Sequence, residues 1–190
     1  MGIYDGLKLL PLDASGWNGD RKTFDRLVSS VRPGTVIEVG TWKGQSTFNM
    51  AGNIRKLGLQ CKIYCIDTWL GSLEFWANDG PRESFELEHG YPIVYRQFLS
   101  NVIHLGFEDM IEPLPMTSST GHKYLSMKAI SAPLIYLDAS HEEDDVYRDL
   151  VGYWNILDPG GIMFGDDWHY YGVRPAVERF AREKSLEIEI

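Results

Sequence analysis

Residues 135–168, IYLDASHEEDDVYRDLVGYWNILDPGGIMFGDDW, restrict the architecture of this chain more than any other stretch. They read as strand, loop, helix, turn, strand. Asp138 follows the first strand, and Asp166 and Asp167 follow the second. Parallel strands joined through a helix deliver their C-terminal ends to one rim of a sheet, and sites form at that rim. His141 stands three residues beyond Asp138. Three carboxylates and an imidazole at one rim suit a hard divalent cation with a base beside it.

The rest of the chain repeats the same alternation. Apolar residues at helical spacing predict helices over 21–31, 46–57, 95–105, 120–130, 144–157 and 174–184. Short β-branched or apolar runs predict strands over 35–39, 61–66, 111–116, 134–137 and 161–164, with LEIEI at 186–190 as a last one. Strands alternating with helices imply an α/β fold: a Rossmann-like, doubly wound, mostly parallel sheet with helices on both faces. No repeat or linker divides the chain, so residues 1–190 form one domain. Residues 1–19 read as an irregular arm. Residues 70–92 follow no period and read as a lid-like insert.

Charge and composition narrow the partners. A net charge of −9 over 190 residues argues against a nucleic-acid partner and an anionic membrane surface. No apolar run approaches the roughly 20 residues of a membrane span. The start shows no signal-peptide pattern, and Gly6 stands where a myristoylation site needs Ser or Thr. Cys61 and Cys65 sit four apart on one strand, roughly 13 Å, too far for a disulfide. Reduced cysteines lead us to expect a cytoplasmic protein.

The loop after the first strand, VIEVGTWKGQST, opens a helix. Gly40 allows a tight turn, and Gly44 lets backbone approach a ligand. The helix behind offers free N–H groups to an anion. The spacing is G-x-x-x-G, with Trp42 where a dinucleotide fingerprint has its middle glycine. A carboxylate therefore suits the turn better than a pyrophosphate. Glu38 lies one residue before the strand end, and Asp67 ends the second strand, where an acid can accept from both ribose hydroxyls.

These motifs, EVGTWKGQS, YCIDTW, LPMTSS and the 135–168 stretch, resemble those of class I S-adenosylmethionine-dependent methyltransferases over residues 24 to 185. They are most similar to the metal-dependent O-methyltransferases, and DASH resembles the macrolide-sugar O-methyltransferase and cephalosporin-hydroxylase-like families. The resemblance implies S-adenosylmethionine and Mg²⁺, or another hard divalent cation, as cofactors. It implies that Glu38, Gly40, Thr41, Gly44 and Ser46 line the methionine part of the cofactor. It places the ribose at Asp67 with Thr68 beside it, and adenine near Thr117 and Ser118. Asp138, Asp166 and Asp167 are implied as metal ligands and His141 as the base. The implied substrate is a small-molecule hydroxyl on a sugar or secondary metabolite, with a homo-oligomer left open.

The family sheet has seven strands, whereas this chain ends near a sixth, so its edge is expected to be incomplete or closed by the arm or a partner. Other roles stay open beside these. His141 could cap a helix or ligate the metal, and Asp166 and Asp167 could cap a turn. Trp69, Phe75 and Trp76 could shield the site or form core. His89, His104 and His122 form no constellation. The alternatives at the level of function are an iron-dependent hydroxylase or oxidoreductase on the same fold, and a non-catalytic cofactor-binding relative.

Overall fold

The computed structural model describes residues 2–19, 22–72, 75–76 and 85–190. The elements in chain order are α1 (Lys22–Val31), β1 (Thr35–Val39), α2 (Gln45–Lys56), β2 (Lys62–Asp67), β3 (Leu87–Glu88), β4 (Tyr91–Pro92), α3 (Val94–Leu105), β5 (Ile111–Pro115), α4 (Ser118–Met127), β6 (Ala132–Leu137), α5 (Glu143–Trp154), β7 (Leu157–Gly165) and α6 (Val173–Lys184).

Five strands form one sheet in the order β5-β2-β1-β6-β7, and each neighbouring pair is parallel. The chain runs outward from β1 through β2 to β5, then crosses back to β6. The strand order therefore reverses between β1 and β6, and such a switch point opens a crevice at the C-terminal ends. Gly40 follows β1 and Asp138 follows β6, so the glycine turn and the first rim acid flank that crevice.

The core explains why TVIEV reads as one apolar run. Val36 packs with α1, α2 and α3 residues such as Phe24, Met50 and Phe98, while Ile37 and Val39 pack on the other face with Leu125 and Tyr153. Both faces of β1 are covered, and Val36 and Ile37 are fully buried. Burial of each such side chain is worth about 1.5–3 kcal/mol. A third cluster joins Leu150 of α5 to Ala176 and Phe180, which seats α6 against α5.

Three expectations change. LEIEI is not a strand: residues 186–190 pair with nothing in the sheet, and Leu186, Ile188 and Ile190 are 38%, 39% and 87% exposed. Period-two alternation alone does not make a strand when no neighbour supplies hydrogen bonds. β7 begins at Leu157 and so takes in the DPGG stretch at 158–161 that reads as a turn, with a register irregularity between Ala132 and Leu134. The insert at 70–92 holds a small β3–β4 hairpin turned by His89 and Gly90, both at positive φ (52° and 80°). That pair of left-handed residues matches the turn that two-residue hairpins favour. Residues 73, 74 and 77–84 of the insert lie outside the described residues.

Residues 2–19 hold no helix or strand, but the arm is fastened. Tyr4 Oη donates to the carbonyl of Ile111, and Leu10 N donates to Ser100 Oγ. Both cysteines are free thiols. Among the described residues, no helix is long and apolar enough to cross a membrane.

Candidate active site

Gly40 brings the two halves of the crevice together. It sits at φ 87°, and a Cβ there would lie 1.9 Å from the carbonyl oxygen of Asp138. Glycine is required on both counts, since φ in that region is costly for other residues and the space is already filled. Gly40 N donates to Ile66 O, and Asp138 N donates to Val39 O, so the ends of β2, β1 and β6 are stitched across the rim.

Gly44, at φ 96°, starts α2, and the helix has no side-chain cap. A Cβ at Gly44 would meet Phe48 and Phe98 at 2.6 and 2.9 Å. Glu38 lies beneath this turn and is fully buried. Its two carboxylate oxygens accept hydrogen bonds from Ser46 Oγ and Thr47 Oγ1 at the start of α2. Burial pushes Glu38 up to about 7, against the pull of those two hydroxyls. Glu38 and Ser46 thus support the turn from below. Thr47 completes the arrangement, and only its place one turn into α2 signals it in the sequence.

Asp67 works on the same turn from the side. Its Oδ2 accepts from the amides of Thr41 (2.9 Å) and Trp42 (2.8 Å), and its Oδ1 accepts from Trp69 N at 2.7 Å. Burial raises its pKa, while those amides pull it back down. Thr68 Oγ1 accepts from Leu70 N. Thr117 caps α4, accepting from Thr120 N at 3.2 Å. The Ser118 carbonyl accepts from Tyr153 Oη at 3.0 Å. Met116 N donates to Asp67 O, which holds the start of α4 beside the end of β2.

Trp42 and Trp69 both adopt positive φ, near 52°. Trp69 is core, 1% exposed, and its indole N–H donates to Trp42 O at 2.7 Å. The Trp42 ring stacks on Phe75 with centroids 4.9 Å apart, and Phe75 stacks on Phe85 at 5.1 Å. Trp76, 49% exposed, meets Phe85 edge-on. The insert therefore lays an aromatic wall over the glycine turn.

At the other side of the crevice, donor atoms of Asp138, His141 and Asp167 all lie within 4.8 Å of one another. His141 Nε2 and Asp167 Oδ2 are 2.7 Å apart. Burial, together with the charges of Asp167 and Asp166, raises Asp138 to about 6, although Tyr136 Oη donates to its Oδ2 at 2.9 Å. Asp166 is not one of the three converging residues. Asp167 turns into the left-handed region at φ 61°, a conformation Asp tolerates better than most, and this brings the second acid of the pair to His141. Asp166 still acts on Asp138 through its charge.

Tyr170, Tyr171 and Gly172 hold the two loops together. Tyr170 stacks on the His141 ring with centroids 4.3 Å apart. Tyr171 Oη donates to Glu142 Oε1 at 2.7 Å. A Cβ on Gly172 would lie 2.1 Å from His141 O. Tyr136, which also supports Asp138, has a readable signal: it stands two residues before Asp138 at the end of a strand.

A family model described as a methyltransferase domain matches residues 37–168 of the 190. The chain therefore belongs to the methyltransferase domain family, and its sheet and helices make the Rossmann-like fold of that class. It superposes on the O-methyltransferase from Bacillus cereus in complex with SAH with a TM-score of 0.65 at 16% identity, over 94% of this chain and 73% of that one. It superposes on apo CalS11, a TDP-rhamnose 3'-O-methyltransferase of calicheamicin biosynthesis, with a TM-score of 0.62 at 18% identity, over 88% of this chain and 72% of that one. At these identities the likeness establishes the fold alone. No curated protein matches the chain in sequence.

Proposed function

We propose that this methyltransferase moves the methyl group of S-adenosylmethionine to a hydroxyl oxygen of a small molecule, such as a sugar or secondary metabolite. The observation that carries this reading is the convergence of Asp138, His141 and Asp167 within 4.8 Å, on a strand end held against the Gly40 turn. Both solved relatives bear O-methyltransferase names, one with SAH bound and one acting on a sugar nucleotide, and this supports oxygen as the acceptor.

The turn fits the cofactor's amino-acid end. Its glycines leave the backbone bare, and α2 begins with amides that no side chain caps. Asp67 shapes the turn through the Thr41 and Trp42 amides and stands at the strand end where a ribose would lie. Thr68, Thr117 and Ser118 form the rim further along, on the adenine side. Gly40, Thr41 and Gly44 would face the methionine part, with Glu38 and Ser46 holding them in place.

The rim fits a hard divalent cation. Asp138 and Asp167 offer carboxylate oxygens, and Asp166 adds charge beside them. Such an ion supplies Lewis acidity that eases removal of a hydroxyl proton. His141 takes that proton on its ring, with Asp167 and Tyr170 fixing the imidazole's orientation. The Trp42–Phe75 wall keeps bulk water from the transferred methyl.

A second reading follows from the position of His141 itself. Its ring nitrogen lies as near the two carboxylates as a third ligand would. In His141→Gln, a base role leaves Mn²⁺ affinity intact and abolishes transfer, whereas a ligand role lowers both. The iron-hydroxylase alternative calls for two imidazoles and one carboxylate, but the converging group holds one imidazole and two carboxylates. The test of the main reading is methyl transfer to a panel of hydroxylated small molecules with Mg²⁺. Activity lost in EDTA and restored by Mg²⁺ is the expected result. Undiminished transfer in EDTA contradicts the cation's part, and failure to bind SAH contradicts the whole.

A further inference from the structure

The N-terminal arm ends on the turn that the cofactor needs. Asp13 Oδ2 pairs with Lys43 Nζ at 2.6 Å, and Lys43 lies within the glycine turn and is 7% exposed. Asn101 of α3 locks both partners. Its Nδ2 donates to Asp13 O at 2.7 Å and to Lys43 O at 2.9 Å, and its Oδ1 accepts from Asp13 N at 3.0 Å. The arm then passes Trp17 over Trp42, with ring centroids 5.8 Å apart. Gly19 lies so close to the first turn of α2 that a Cβ would approach Ser46 N to 2.6 Å. Gly19 N donates to Gln45 Oε1 at 3.0 Å, and Gly19 O accepts from Asn49 Nδ2 at 3.0 Å.

We propose that residues 10–19 are a strap that sets the position of the cofactor turn, with the Asp13–Lys43 pair as its fastening and Asn101 as its anchor. The physical case rests on where the bonds fall. Glu38 holds the head of α2 through the Ser46 and Thr47 hydroxyls, Asp67 holds the Thr41 and Trp42 amides, and the strap adds a third attachment at Lys43. Lys43 sits in little water, so Asp13 satisfies a charge that would otherwise be stranded. Asp13 is held down at about 2 despite partial burial, chiefly by its bonds to Lys43 and Ser15. Asp13 and Lys43 are accordingly positioning residues: they touch the turn and not the reacting atoms.

The proposal rests on the cofactor reading, and two measurements keep the two apart. The variants are Asp13→Asn, which leaves Lys43 without its counter-charge, and Asp13→Asn/Lys43→Met, which removes both charges and so avoids a stranded cation. Hydrogen exchange of the amides at 41–47 without ligand reads the order of the turn. Calorimetric titration with SAH reads its fitness for the cofactor. We expect faster exchange confined to 41–47 and affinity for SAH about tenfold weaker or more in both variants, with the unfolding temperature of the double variant near that of the parent. If Asp13→Asn fails to fold, the double variant decides alone. Unchanged exchange and unchanged SAH affinity in a folded variant overturn the strap. A parent chain that binds no SAH overturns the cofactor reading instead, and local exchange still decides whether the arm orders the turn.

Discussion

Without a cation the converging acids should burden the fold, and Asp138→Asn measures that burden. Burial and the neighbouring charges of Asp167 and Asp166 raise the Asp138 carboxyl from its ordinary 3.8 to about 6. At about 1.4 kcal/mol per pH unit, that rise corresponds to about 3 kcal/mol. An acid whose pKa is raised by folding costs nothing below its unfolded value, and its cost grows as pH climbs through the folded value. Asparagine has the same shape, keeps an oxygen for the Tyr136 hydroxyl, and carries no charge. The metal-free variant should therefore match the parent near pH 3.5 and exceed it by about 2–3 kcal/mol above pH 6.5. Urea unfolding in EDTA at a series of pH values reads the difference. Adding Mg²⁺ should return stability to the parent, by about 2.7 kcal/mol at a hundredfold excess over Kd, and give the variant nothing. A variant less stable than the parent at pH 7.5 in EDTA, or a difference that does not change with pH, refutes the reasoning.

Two other substitutions probe the turn. Gly40→Ala places a methyl 1.9 Å from the Asp138 carbonyl at φ 87°; the left-handed backbone alone costs about 1–2 kcal/mol, so we expect a larger loss in thermal unfolding together with lost SAH binding. Glu38→Ala leaves the hydroxyls of Ser46 and Thr47 buried without their acceptor; we expect a loss of about 1–3 kcal/mol in urea unfolding, with the amides at the start of α2 exchanging faster.

Much of this arrangement was legible in the residues because the signals were local. TVIEV gave β1 with its bounds, since β-branched residues fully covered on both faces leave little latitude. The acids after β6 and β7 and the two turn glycines stand at the strand ends expected of them. What stayed hidden depends on contacts distant in sequence. The LEIEI alternation lacks the partner that would make it a strand. The arm looked irregular because its order comes from Asn101 and Lys43, about 88 and 30 residues further along the chain. Glu38 and Asp67 were readable as acids at strand ends. Their bonds to α2 hydroxyls and turn amides were not, because spacing does not reveal where a carboxylate's lone pairs go. The choice between Asp166 and Asp167 turns on one left-handed φ, which a pair of identical side chains cannot announce.

The central claim is that the two rim loops form one cation site beside the cofactor turn. The most direct measurement is titration of the SAH-loaded protein with Mn²⁺, followed by electron paramagnetic resonance, in the parent and in Asp138→Asn and Asp167→Asn. The account predicts a single ion bound by the parent and none at comparable concentrations by either variant, with SAH binding retained in all three. A parent that leaves Mn²⁺ free, or variants that bind it as tightly as the parent does, would contradict the account.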